Sequence, residues 1–366
     1  MRIHITLVGG QTYPVYLGIK ADNPDKIIMI HSDQTIKESQ RIMDEFPNIP
    51  MTYKKLHPTN QNSVQFDARK IIKNLKKNHV EGTEYTLNIT GGTKIWALVM
   101  YIEAKESGLP FKFIYVDQTC LVSDLDDTKG YQQFEIDDIE TVLRLNGIKN
   151  HEYINVANFN EEDKKVCSKV YELIKLNTRA FFNLVKSARE DEYSSKWNFN
   201  GNSLSWDKEK HKITFKINNR VEELCSPHVE QLVVYAGWFE YKIASILKNW
   251  EHTKEVYMGV NIENNQNEID IIINAGPRLV FVECKTKIFK ITDLDKFDSA
   301  ARKYSGTATI KLFVQNENLN EEVLDKCSRS KICAFSLADY GGLFGERVEE
   351  NLFKMLDNAL LKMQTR

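Results

Sequence analysis

Apolar positions in the first third of the chain fall into short runs separated by longer stretches with helical spacing. The runs Ile3–Val8, Lys26–His31, Met51–Leu56, Tyr85–Thr90 and Phe111–Asp117 predict strands. Between them, Gln34–Phe46, Val64–Lys77 and Lys94–Ser107 predict helices most clearly. Strand–helix alternation with long connections predicts an α/β fold built on a parallel, Rossmann-like sheet covered on both faces. Ligands of such sheets bind beyond the carboxyl ends of the strands.

After Asp117 the pattern changes. Leu121–Asn150 is acidic and irregular, and Glu161 to about Glu190 predicts a helix with Val166, Val170, Leu173 and Leu176 on one face. Two short polar strands are expected at Ser203–Trp206 and Lys212–Ile217, turned by Asp207–Lys210. His228–Trp250 predicts an amphipathic helix, with Leu232, Ala236, Phe239, Ile243 and Leu247 on its apolar face and Glu240 beside it. Asn267–Asn274, the turn Ala275–Arg278 and Leu279–Thr286 predict a β-hairpin. The expected organisation is therefore a first domain over 1–145, a helical connector and the start of a second fold over 146–220, and a second α/β domain over 221–366.

Composition narrows the class. The 366 residues are 42% apolar and 27% charged, as in an ordinary globular protein. The apolar run Ile95–Ile102 is far short of the ~18 residues of a membrane span. The amino terminus alternates like a strand and lacks a signal peptide's apolar core, so a cytoplasmic protein without a membrane partner is expected. The 49 basic and 51 acidic side chains give a net charge of −2, which excludes a coat that holds nucleic acid through bulk charge. A polyanion would have to be met locally, by residues such as Lys287, Lys290 and Lys303. The six cysteines include no CxxC pair and read as reduced thiols.

Three strand ends carry small and polar residues: Gly9-Gly10-Gln11-Thr12, Ser32-Asp33, and Thr90-Gly91-Gly92-Thr93-Lys94. Paired glycines let a backbone approach a ligand closely. Thr93 and Lys94 then open a helix whose unpaired N–H groups favour phosphate, with Lys94 as a point charge. The competing reading is a plain helix cap. Neither GxxxxGK[ST] nor GxGxxG is present, which argues against a P-loop enzyme and a dinucleotide dehydrogenase.

The hairpin carries a second chemistry. On its second strand Leu279, Phe281, Glu283 and Lys285 share one face while Cys284 takes the other. Asp270, expected at the end of an apolar strand, lies opposite them. Two carboxylates and an ammonium on a greasy hairpin are costly to bury unless they bind a cation or one another. Asp270 and Glu283 offer hard oxygen ligands to Mn²⁺ or Mg²⁺, and Lys285 could orient a water for attack on a phosphodiester. The (D/E)xK triplet also begins at Glu103, Asp127, Glu162, Asp163 and Glu240, but only Glu283-Cys284-Lys285 ends an apolar strand. A structural salt bridge at the hairpin end is the alternative.

Asp270…Glu283-Cys284-Lys285 resembles the PD-(D/E)xK nuclease core, with Glu240 matching the extra acid many members carry on the preceding helix. The usual proline before the Asp is Ile269 here. The amino half, through Gly9-Gly10, Ser32-Asp33 and Thr90–Lys94, resembles CARF domains, the sensors of cyclic oligoadenylate in type III CRISPR defence. Together they resemble the CARF–nuclease effectors of that system across nearly the whole chain. The resemblance implies Glu240, Asp270, Glu283 and Lys285 as catalytic residues. It implies a metal held by Asp270, Glu283 and the backbone carbonyl of Cys284. It also implies a homodimer holding cyclic tetra-adenylate across its two-fold axis, through Gly9, Gly10, Gln11, Thr12, Ser32, Asp33 and Thr90–Lys94, with DNA or RNA as substrate. The alternatives are a ligand sensor with a degenerate nuclease half and a ring nuclease that linearises its own ligand.

Overall fold

The computed structural model describes residues 1–117, 119–127, 130–149, 151–191, 193–262, 267–286, 291–305, 309–343 and 345–364. The first sheet is built from β1 (Arg2–Leu7), α1 (Tyr13–Asp22), β2 (Lys26–His31), α2 (Ile36–Asp44), β3 (Met51–Lys55), α3 (Gln61–Lys77), β4 (Glu84–Asn88), α4 (Lys94–Glu106) and β5 (Phe111–Val116). Its strand order is β3-β2-β1-β4-β5, all parallel, extended by the antiparallel β6 (Leu121–Asp124) and β7 (Tyr131–Gln133). The chain winds outward from β1 to β3 and then returns to the other side of β1 with β4. The topological switch point therefore lies between β1 and β4, the two strands that lead into the glycine pairs.

The five expected strands and three expected helices are present. Helix α1 has no amphipathic signature because Val15 through Ile19 are all buried, so no polar face marks it. The stretch expected to be irregular holds β6, β7 and α5 (Ile139–Leu145), each too short to set up a period.

The second sheet has the order β17-β16-β15-β14-β13-β8. The edge strand β8 (His151–Asn155) lies far upstream of its neighbour β13 (Glu255–Ile262); then come β14 (Asn267–Asn274), β15 (Leu279–Lys285), β16 (Ile310–Gln315) and β17 (Cys333–Ser336). β14 and β15 form the expected hairpin, and β16 and β17 continue it in parallel. Asp270 lies within β14 rather than at its end, immediately before the buried run Ile271–Ile273.

The helix expected over 161–190 is two helices, α6 (Glu161–Leu176) and α7 (Thr178–Glu190), broken at Asn177. The Asn177 side chain accepts a hydrogen bond from the Ala180 N–H and caps the second helix. The expected strand pair is part of a four-stranded antiparallel sheet, β9 (Lys196–Phe199), β10 (Asn202–Asp207), β11 (Lys212–Ile217) and β12 (Arg220–Cys225). The helix expected over 228–250 is interrupted by a π-helical turn, Glu230–Val234, and by Ala236 in the left-handed region at φ 64°. Only then does α8 (Gly237–Leu247) begin, carrying Glu240 in its first turn. The Arg189 guanidinium donates to the Val234 carbonyl and satisfies the end of the interrupted turn.

One face of the first sheet packs under α3 and α4. Its other face, with α1 and α5, forms a continuous core with the second sheet and with α9 (Thr292–Ser305) and α10 (Glu321–Arg329). The remaining face of the second sheet packs against α6, α7, α8, the small sheet and α11 (Val348–Gln364). The hairpin turn is tied into the first half: the Ile136 N–H donates to the Gly276 carbonyl at 2.7 Å, and the Asn274 amide donates to the Ile136 carbonyl at 3.0 Å. Among the described residues no helix is long and apolar enough to cross a membrane.

Candidate active site and ligand site

The hairpin register places Asp270 and Glu283 one step beyond the last paired residues, Ile271 and Val282. Asp270 is 6% exposed and accepts the Cys284 N–H at 2.6 Å. The Lys285 ammonium lies 2.6 Å from Glu283 Oε1 and 3.7 Å from Asp270 Oδ2. The three residues singled out on the hairpin thus converge. Burial raises the Asp270 carboxyl, against the pull of the Lys285 ammonium and the Cys284 N–H. Burial and the Asp270 charge push the Glu283 carboxyl up to about 8, although Lys285 favours its ionised form. Burial alone would lower the Lys285 ammonium, but Asp270 and Glu283 hold it well above its ordinary value.

Glu240 approaches from α8. Burial first, then the charges of Asp270, Glu268 and Glu283, push its carboxyl well above the usual range. Among the described residues its carboxylate does not join Asp270 and Glu283 as a third ligand atom within 4.8 Å; that spacing occurs at Glu251, His252 and Asp357. Four carboxyls around one ammonium form a site short of positive charge. Its hard oxygen donors fit Mn²⁺ or Mg²⁺. Lys287 and Lys290, expected to meet nucleic acid, lie outside the described residues. Lys303 lies on α9 with its ammonium 3.2 Å from the Tyr304 hydroxyl.

At the switch point the two glycine pairs interlock. A Cβ on Gly9 would stand 2.8 Å from the Gly92 nitrogen, and one on Gly91 would stand 1.9 Å from the Leu7 carbonyl oxygen. Gly92 has φ +71° and lies against the Trp96 ring. These glycines are required by loop–loop packing, whereas a Cβ on Gly10 would meet nothing within 4 Å. Gly91→Ala is accordingly expected to destabilise the protein by about 1–3 kcal/mol, as overpacking does. A thermal melt matching the wild type would contradict this.

Several hydroxyls proposed from sequence for the ligand are committed inside the protein. The Thr12 hydroxyl donates to the Leu145 carbonyl, and Ser32 caps the turn over 33–35. The Thr90 hydroxyl donates to Asn88 and accepts the Val116 N–H, and Thr93 caps α4. Asp33 is exposed and paired with Lys55 at 2.7 Å. Lys94 is exposed, with no partner among the described residues, at the start of a helix whose first N–H groups lack intrahelical acceptors. Gly10, Gln11 and Lys94 are exposed beside these loops.

Two features escaped the sequence reading. Asp33, Gln34, Lys55, His57 and Ser63 line an open pocket beyond β2 and β3, where no motif spacing connects them. Gln315 ends β16 in register with Lys285, which only strand pairing reveals.

Residues 3–147 match the family model of the Card1 CARF domain, and no curated protein matches the chain. Among solved structures, Can2 from Sulfobacillus thermosulfidooxidans, in complex with cyclic tetra-adenylate, is similar with a TM-score of 0.68 at 17% identity, over 98% of this chain and 97% of that one. VC1899 from Vibrio cholerae is similar with a TM-score of 0.73 at 14% identity, over 99% and 98% of the two chains. A type III CRISPR defence DNA nuclease activated by cyclic oligoadenylate is similar with a TM-score of 0.55 at 14% identity, over 87% of this chain and 46% of that one. At these identities the likeness shows a shared fold. The amino-terminal part is thus similar to a CARF domain over residues 3–147, and the whole chain shares the α/β fold of these structures.

Proposed function

We propose that this protein is an endonuclease of DNA, RNA or both, dependent on Mn²⁺ or Mg²⁺ and activated by cyclic oligoadenylate in type III CRISPR defence. In this reading 1–145 is the sensor, 221–366 carries the nuclease site, and 146–220 joins them. The observation that carries it is the convergence of Asp270, Glu283 and Lys285 in a chain whose first part is similar to a CARF domain. Asp270, Glu283 and the Cys284 carbonyl would hold the cation, which supplies positive charge at a scissile phosphate and an acidified water. Lys285, kept protonated by its two carboxylate neighbours, presents N–H donors to the phosphate. Glu240, whose carboxyl burial and the acids around it push well above the usual range, stands beside this pair from α8. Cyclic tetra-adenylate is the proposed activator, supported by the ligand of the similar Can2 structure and by a ring symmetry that suits a two-fold site.

The dimer has a candidate surface. On α4, Leu98 and Ile102 are 59% and 42% exposed, and Ile95 and Val99 are half-buried, at the spacing of one helix face. This apolar stripe runs from the Lys94 loop, so a two-fold axis beside it would bring both loops to one ring. Leu98→Glu with Ile102→Glu is expected to convert a dimer to a monomer by sedimentation and to abolish tight ligand binding. A wild-type monomer with and without ligand would remove the two-fold site.

The test of function is purified protein with Mn²⁺, plasmid DNA and labelled RNA, with and without cyclic tri-, tetra- or hexa-adenylate, following substrate and ligand together. Ligand-dependent cutting is expected. Ligand binding without cutting would leave a sensor alone, and loss of the ring without cutting would make it a ring nuclease.

A further inference from the structure

Gln315 carries an unsatisfied buried oxygen beside the proposed catalytic strand. β16 runs parallel to β15, and the register partner of Gln315 is Lys285. Paired residues on neighbouring strands, about 4.8 Å apart, project to the same face. The Gln315 side chain therefore leaves the sheet on the Lys285 side, at the same end of the two strands. Its amide nitrogen donates to the Asn318 carbonyl at 3.0 Å and to the Glu317 carbonyl at 3.4 Å. Carbonyl oxygens only accept, so these contacts fix which end of the amide is nitrogen. The other end, Oε1, is buried and has no partner among the described residues, on a residue only 5% exposed. A buried amide oxygen left unpaired is costly, and this one needs a donor.

Lys285 is the donor at hand whose present position conflicts with the proposed function. Its ammonium lies against Glu283 and near Asp270, where a divalent cation would stand. When those carboxylates turn to a cation, the ammonium loses its acceptors and is repelled. We infer that Gln315 is a positioning residue of the nuclease site, whose Oε1 accepts the Lys285 ammonium once Asp270 and Glu283 hold the metal. The exchange holds the Lys285 ammonium in place for the phosphate, and it eases entry of the cation. This rests on the metal site proposed above and adds a residue that the (D/E)xK pattern does not contain.

The test is a double-mutant cycle read by Mn²⁺ calorimetry on the full-length protein without nucleic acid. Gln315→Leu should weaken Mn²⁺ binding about tenfold, the scale of one hydrogen bond to a charged group. In a Lys285→Met background, where no ammonium needs a new acceptor, Gln315→Leu should change Mn²⁺ affinity little. Gln315→Glu loses the same contacts to residues 317 and 318 but keeps an acceptor, and should bind Mn²⁺ at least as well as the wild type. Equal weakening in both backgrounds, weakening by Gln315→Glu as well, or no effect of Gln315→Leu would each overturn the inference while leaving the metal site standing. A wild-type protein that takes up no Mn²⁺ would overturn both.

Discussion

Replacing Lys285 by alanine is expected to lower metal-dependent cleavage by about 10²–10³-fold, the usual cost of removing one preorganised donor from a developing charge. Binding of cyclic tetra-adenylate should be unchanged, because the glycine loops belong to the other sheet. The fold should also survive. With the ammonium gone, Glu283, already raised to about 8, has less reason to ionise and would stay neutral rather than leave a buried charge. Glu283→Ala and Asp270→Asn should lose metal-dependent cutting as well, since an amide or a methyl is a poor substitute for a carboxylate on a hard cation. The readout is plasmid nicking and RNA cleavage with Mn²⁺ and activator. Cutting by Lys285→Ala at the wild-type rate would place the chemistry elsewhere, and cutting that survives a chelator would remove the metal.

What the sequence revealed here followed from period. The strands of the first sheet are short apolar or alternating runs set between helical stretches, and the hairpin is two apolar runs around a Gly-Pro turn, so both were legible. Glu283 and Lys285 were readable as neighbours because strand alternation fixes which residues share a face. Helix α1 was hidden because burial on all sides erases the contrast that marks a helix. The break before α8 was hidden because Ala236 sits in a left-handed conformation that its residue type gives no reason to expect. Its consequence is functional in the proposed reading: the interrupted helix restarts at Gly237 and carries Glu240 towards Asp270. The glycines were legible as a motif, and their use was not. Gly91 serves the close approach of its loop to Leu7, a contact between segments about 80 residues apart. Gln315 depended on a parallel register, which single-chain patterns do not encode.

Lys94→Ala is expected to raise the concentration of cyclic tetra-adenylate needed for cutting by roughly 10- to 150-fold, the worth of one charge-assisted hydrogen bond. The maximal rate at saturating ligand should not change, because a residue that acts only on the sensor shifts the occupancy of the active state, not its chemistry. The site for this change is well defined. Lys94 is exposed, has no partner among the described residues, and opens α4 beyond the switch point, where helix N–H groups and charge both favour phosphate. None of the described residues bonds its ammonium, so the variant should melt with the wild type. The glycines are poorer probes, because Gly9, Gly91 and Gly92 are packed against backbone or the Trp96 ring. Gly10 is the exception, with open space around it. Gly10→Val should act in the same direction as Lys94→Ala, by obstructing approach of the ring to the β1 loop. Calorimetry on both variants, beside the cutting assay, separates the readings. Weaker binding with an unchanged ceiling supports a phosphate-binding loop. Wild-type affinity in both would reduce Thr90–Lys94 to a helix cap and leave the sensor reading on the family match alone.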